Sequence, residues 1–243
     1  WGDAIKEVEN AVGININNKM ANERLVHNKS EEMKTLVPSK LERENISVAI
    51  DQGKTSELSG KSREAADIYN GEMKRIGESA IKHGVVRGLL EDYVSHIINW
   101  SEMPKGAMAE FLDNVLGVSP KGEGKGMSPE TRFAKERHLK TFQDVTKVLA
   151  DINDRIAKAG KSDFRLEIKT LDIAEIYKQY GLSMEKAIEN KKLIDHVMTV
   201  RNVAGETMVR RVTEAEPMPR DWVMIDNRQF AGMAVHPDIA PAL

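Results

Sequence analysis

The chain has 243 residues, 40% hydrophobic and 30% charged, an ordinary balance for a folded soluble protein long enough to bury a core. A formal charge of −2 gives no general attraction to nucleic acid or to an anionic membrane surface. Cysteine is absent, which excludes disulfides, thiolate metal sites and cysteine nucleophiles; a reducing compartment, or a virion assembled in one, fits that composition.

Aromatic residues make up only 5%, so the core must be built from Ile, Val, Leu, Ala and the 12 Met. Such a core favours helices over a sandwich, because strands prefer aromatic and β-branched side chains. No apolar run approaches the roughly 18 residues of a membrane-spanning helix. Trp1-Gly2-Asp3 is neither an initiator methionine nor a signal peptide, and the chain stops at Leu243 without a polar tail, so it reads as a fragment of a longer polypeptide.

In chain order, Ala4, Ile5, Val8, Ala11 and Val12 predict a short helix over 3–12 that Gly13 closes. The Asn- and Lys-rich stretch 14–37 reads as loop with a short helix. Pro38 suits the first position of a helix carrying Leu41, Ile46, Ala49 and Ile50 before Gly53, although the alternation Ile46, Val48, Ile50 also admits a strand. Ala65, Tyr69, Met73, Ile76 and Ala80 repeat at three and four over 62–83, with Ser62 as cap and Gly84 as left-handed stop. Residues 85–100 are the most apolar stretch and must be buried or covered by a partner. A helix over 105–116 ends at Gly117.

The segment 119–130 is rich in Gly, Pro, Ser and Lys and reads as a flexible linker between a helical part, 1–118, and an α+β part, 131–243, although the whole could be one continuous domain. Beyond it, Thr141 pairs with Asp144 as a cap, and Phe142, Val145, Val148, Leu149, Ile152 and Ile156 form an apolar stripe ending at Gly160. Strict alternation over 164–169 predicts a half-buried strand. Thr170 is the expected cap of a long helix with Ile173, Ile176, Tyr177, Tyr180, Met184, Ala187, Ile188, Ile194 and Val197 on one face. Short strands are expected over 209–213, 222–225 and 233–235. The fold class is therefore α+β, predominantly α-helical, with a small mixed sheet toward the C-terminus.

Candidate chemistry is sparse. Gly122-Glu123-Gly124-Lys125-Gly126 lacks the Ser/Thr after the lysine and the strand before the loop that phosphate binding needs, so a linker is the better reading. Of the histidines His27, His83, His96, His138, His196 and His236, no two share metal-ligand spacing on one helix face. Glu91, Asp92 and His96 could form an acid–base or metal cluster, against the plainer reading of a hydrogen-bonded buried histidine. The carboxylate pairs Glu185 with Glu189, and Asp151 with Asp154, read as solvated helix faces. Basic residues gather at Lys135, Arg137, His138 and Lys140, and again at Lys191, Lys192, Arg201, Arg210 and Arg211. Phosphate contacts through Lys191, Lys192, Arg210 and Arg211 are the best binding hypothesis the residues offer, although no aromatic is interleaved with them in sequence. These residues select no catalytic centre, metal or cofactor.

Three passages carry a resemblance. They are Gly84-Val85-Val86-Arg87-Gly88 leading into Tyr93-Val94-Ser95-His96-Ile97; Phe133 through Arg137 with Lys169-Thr170-Leu171-Asp172-Ile173-Ala174-Glu175 and Met184-Glu185-Lys186-Ala187-Ile188-Glu189-Asn190-Lys191-Lys192-Leu193-Ile194; and Trp222-Val223 with Ala234-Val235-His236-Pro237-Asp238-Ile239-Ala240-Pro241. In this order the chain resembles a module of very large tailed-bacteriophage and prophage proteins, the internal virion ejection proteins and polyvalent proteins. Ser95 stands where such modules often carry Pro, and residues 1–60 match loosely. The resemblance implies a non-enzymatic structural or delivery segment in the phage virion or the bacterial host cytoplasm. Its implied partners are other segments of the parent protein and other virion proteins; the residues also leave a homo-oligomer open. It implies no catalytic residue, because the motifs read as packing and turn signals. The alternative is a nucleic-acid-binding or accessory module of an ejected phage enzyme, of polymerase or antirestriction type, with DNA as partner. A weaker third is a hydrolase centred on Glu91, Asp92 and His96.

Overall fold

A computed structural model describes residues 2–86, 94, 97–98, 142–158, 165–213, 217–225, 230 and 232–243. Five helices occur among them: α1 (Gly2–Leu36), α2 (Lys40–Asp51), α3 (Gly60–Lys82), α4 (Phe142–Lys158) and α5 (Ile173–Val197). The strands are short: β1 (Ile97–Ile98), β2 (Ile168–Thr170), β3 (Val209–Arg211), β4 (Val223–Met224) and β5 (Met233–Val235). The expected class, α+β and mostly helical with a small sheet near the C-terminus, is what the chain adopts.

The largest departure is at the start. The stretch expected as a short helix, a stop at Gly13 and a loop is one 35-residue helix, roughly 50 Å long at 1.5 Å per residue. Gly13 is not among the glycines with positive φ and ends nothing. The apolar pattern is broken because Asn15, Asn18 and Asn22, respectively buried, exposed and half-buried, take positions along the side that meets α5. Counted with Ala4, Val8, Ala11, Val26, Ser30, Met33 and Val37, they continue one stripe stepping by three and four. Ser39, not Pro38, supplies the start of α2, its hydroxyl accepting from the Glu42 amide at 3.3 Å. The region 46–50 is helical, so the strand alternative fails. Ser62 does not cap α3: the helix begins at Gly60, and the Ser62 hydroxyl donates to Glu42 at 2.5 Å. Gly84 adopts φ +67° beyond α3, as expected.

α1 and α5 lie antiparallel. Asn15 meets Glu189, Asn22 meets Glu185, and the Ser30 hydroxyl donates to the Ala174 carbonyl at 3.0 Å. α3 packs on both helices, and α2 on α3 and α5. Gly181 permits the close approach: a Cβ there would lie 3.2 Å from Val26 Cγ1 and 3.5 Å from Ile76 Cδ1. The larger apolar cluster joins Val26 and Met33 of α1, Ile46 and Ile50 of α2, Tyr69 and Ile76 of α3, and Ile176, Tyr177, Met184 and Ile188 of α5. A smaller cluster joins Ala4 and Val8 to Leu193 and Val197, and to Val200, Met208, Phe230, Met233 and Val235 around the C-terminal sheet. Both draw on residues from either side of 119–130, a segment that itself lies outside the described residues, as does 105–116.

α5 is capped by Asp172, whose carboxylate accepts from the Ala174 amide at 3.0 Å. Thr170, the expected cap, instead accepts from the Asp172 amide. The strand expected over 164–169 is narrower: β2 begins at Ile168 and pairs antiparallel with β1. Leu166 is held by the Asn153 side chain, which accepts from its amide at 2.7 Å and donates to its carbonyl at 2.9 Å, standing in for a neighbouring strand. In α4 the expected stripe is buried at Phe142, Val145, Leu149 and Ile152. The expected cap Thr141 is outside the described residues. The C-terminal strands form an antiparallel sheet in the order β3-β5-β4, with Val209 and Val223 both opposite Val235. Of the apolar stretch 85–100, Val85, Val86 and Val94 are buried.

Candidate functional site

Two buried carboxylates, Glu185 and Glu189, lie where α5 meets α1 and α3. Glu185 and Glu189, expected on a solvated face, are only 5% and 3% exposed. The reason is that α5 is enclosed on two sides, so the face opposite its main apolar stripe meets α1 rather than water. The Glu189 carboxylate accepts from Asn18 at 3.0 Å and from Lys192 at 2.6 Å, while its backbone carbonyl accepts from Asn15 at 2.7 Å. Glu185 accepts from Asn22 at 3.1 Å and forms an ion pair with Arg75 of α3 at 2.8 Å. The two facing atoms, Arg75 Nη2 and Glu185 Oε1, are both sealed from water. Arg75 also donates to Glu72 at 2.9 Å, and Glu72 accepts from the Tyr177 hydroxyl at 3.1 Å. Burial, with Glu72 beside it, pushes the Tyr177 phenol well above its ordinary range. Asp151 and Asp154 are exposed, as expected.

A second buried pair fastens α2 to the start of α5. Arg43 Nε donates to both Asp172 oxygens at 2.9 Å and Nη2 donates to Oδ2 at 2.6 Å. Nη1 donates to the carbonyls of Val37 and Pro38 at 2.8 and 2.9 Å, closing the turn between α1 and α2. Asp172 thus neutralises an arginine and caps a helix with the same two oxygens.

Beside the α1–α5 seam lies a groove of about 500 Å³, lined by residues from Asp3 to Asn18 of α1 and by Glu189, Lys192, Leu193 and His196 of α5. His196 Nε2 sits 3.4 Å from Glu7 Oε1. Of the acidic residues lining the groove, Asp3, Glu7 and Glu189, Glu189 is already held by Asn18 and Lys192 and Glu7 lies beside His196, while Ala11, Ile14 and Leu193 supply apolar wall. At the end of α3, burial and then the charges of Lys192 and Lys82 lower the affinity of His83 for a proton.

The four residues singled out for phosphate contact are not brought to one surface as equals. Lys191 is engaged by Asp195, and Lys192 by Glu189. Arg201 turns back to accepting carbonyls of Met198 and Val200, completing the end of α5. Arg210 and Arg211 are exposed on β3. Arg210 lies over the Trp222 ring, 5.2 Å from its centroid, and His236 meets that ring edge-on at 6.1 Å. The pairing of β3 and β4 with β5 brings this aromatic to the arginine, a juxtaposition hidden by the sequence separation. Glu91, Asp92, His96, Lys135, Arg137, His138 and Lys140, together with 122–126, lie outside the described residues. Among the described residues no group of three His, Asp or Glu is arranged to hold a metal ion, and no helix is long and apolar enough to cross a membrane. Neither a protein-family model, nor a curated protein, nor a solved structure matches this chain.

Proposed function

We propose that the chain is a non-enzymatic structural segment of a large phage virion-associated protein, a rigid helical unit that other parts of the parent protein and other virion proteins pack against. The observation that carries this reading is the use made of the buried carboxylates. Asp172, Glu185 and Glu189, with the half-buried Glu72, are each taken up by arginine, lysine, asparagine or tyrosine from another helix or from the same one. A catalytic acid or base needs a lone pair or proton left facing a cleft; these are spent on holding α1, α2, α3 and α5 together. The phage assignment rests on the resemblance of the three passages above. Mass spectrometry of purified particles from a phage encoding the parent protein tests it: peptides from this chain are expected in the virion, and their absence defeats the delivery role.

A second reading, a nucleic-acid-binding accessory module of an ejected enzyme, is favoured by the Arg210–Trp222 stack, since a cationic group beside an aromatic face suits single-stranded nucleic acid. It predicts binding that weakens with salt and with Arg210→Ala, Arg211→Ala or Trp222→Ala. Lys191→Ala matters less, because that ammonium group is already paired.

A further inference from the structure

The face of α1 turned away from α5 carries a second stripe: Glu9, Gly13, Ile16, Met20 and Arg24 step by three and four residues. Ile16 is 51% exposed and Met20 49%. Between Asn10 and Asn18 the helix has no charged residue, so nothing along the middle of this face favours water strongly. Gly13 lies one turn before Ile16 on this face. Among the described residues a Cβ there would meet nothing within 4 Å, and the backbone is not left-handed, so the described fold gives no reason for glycine at a position where almost any residue makes a better helix. Gly181 is the contrast, its missing side chain being filled by Val26.

We propose that two copies of this chain associate through an antiparallel pairing of their α1 helices along this stripe. Charge complementarity selects the direction. With the two-fold axis between residues 16 and 17, Ile16 lies beside Ile16 of the second copy. Met20 covers Gly13 of the second copy, and Glu9 faces Arg24 of the second copy, each contact occurring twice. A parallel pairing would set Glu9 against Glu9 and Arg24 against Arg24, placing like charges at both ends of the contact. The glycine then has a purpose: it lets the methionine of the other copy bring the two backbones close. This association does not depend on the phage reading.

Sedimentation equilibrium of the whole chain tests it through a charge exchange. The wild-type chain is expected to dimerise with increasing concentration. Glu9→Arg alone and Arg24→Glu alone each replace two attractive pairs by two repulsive ones and should weaken the dimer on the order of tenfold. In an equimolar mixture of the two variants, the introduced arginine of one chain faces the introduced glutamate of the other. At the opposite end of the contact, the unchanged Glu9 of the second variant faces the unchanged Arg24 of the first. The mixture should therefore regain the wild-type constant. Both positions are exposed, so the helical circular dichroism stays unchanged. Gly13→Leu provides an independent check: it raises the thermal midpoint of the dilute protein and weakens the dimer. A wild-type chain that stays monomeric at every concentration overturns the proposal, whether or not it binds lipid vesicles or another protein through this face. So does a mixture that dimerises no better than its components.

Discussion

Replacing Asp172 by Asn removes one charge from the most enclosed ion pair among the described residues. Asp172 is 2% exposed and Arg43 8%, with three nitrogen-to-oxygen bonds of 2.6 to 2.9 Å between them. The asparagine oxygen can still accept from the Ala174 amide, so the cap of α5, worth about 1 kcal/mol, is kept. What is lost is the counter-charge of a buried guanidinium, and breaking such a pair from one side costs about 3 to 5 kcal/mol. Asp172→Ala removes the cap as well and should cost about 4 to 6 kcal/mol. Asp67→Asn is the control: its pair with Arg63 on the surface of α3, 3.0 Å long, should contribute no more than about 0.5 kcal/mol. Urea unfolding followed by circular dichroism measures all three variants, with the slope checked for constancy. A loss below about 1 kcal/mol for Asp172→Asn would refute the reasoning, because the pair would then be no different from one on the surface.

Other consequences follow from the same packing. Gly181→Ala gains helix propensity but sets a Cβ 3.2 Å from the stiff Val26 side chain; it should lose about 1 to 2 kcal/mol net, whereas Gly13→Ala should gain about 0.5 to 1 kcal/mol in the monomer, both read from denaturant midpoints. His83 binds its proton less readily in the folded chain than its ordinary value of 6.5. Its contribution is therefore present above that pH and lost as pH falls through the lower folded value, and His83→Gln should flatten the acid limb of a stability–pH profile. Tyr177 has the opposite sign. Its raised affinity for the proton stabilises the fold below its ordinary value of 10.0 and is lost as pH rises beyond it; Tyr177→Phe should abolish that alkaline loss while costing about 1 kcal/mol at neutral pH for the bond to Glu72.

The helices that bury one continuous apolar stripe were legible in the sequence. α3 and α4 show the repeat of Ala65, Tyr69, Ile76 and Ala80, or of Phe142, Val145, Leu149 and Ile152, and the left-handed Gly84 marks a real stop. α1 was not legible, because its inner stripe changes from apolar to amide and back. Asn15 scores as a loop residue until Glu189 is known to face it, and Gly13 scores as a stop until the chain is seen to run through it. The same blindness hid the site: Glu185 and Glu189 read as a solvated pair because their spacing shows which helix face they share, not whether another helix covers it. The only local hint was the matching period, with Asn15, Asn18 and Asn22 on one helix and two glutamates a turn apart on another. The meeting of Arg210 with Trp222 depends on strand order, which no local pattern encodes. Thr170 and Ser62 suit a cap by residue type alone, whereas Asp172 and the chain at Ser59 hold those positions.

The enclosed glutamates of α5 serve as fasteners, and equilibrium unfolding of the Glu185→Ala, Glu189→Ala double variant measures that role directly. Removing both carboxylates takes the partner from half-buried Asn22 and from the buried Nη2 of Arg75, whose remaining carboxylate is Glu72, so a loss of at least about 2 kcal/mol is predicted. Unchanged or increased stability, the behaviour of acidic groups held together at a cost for the sake of an activity, would contradict it.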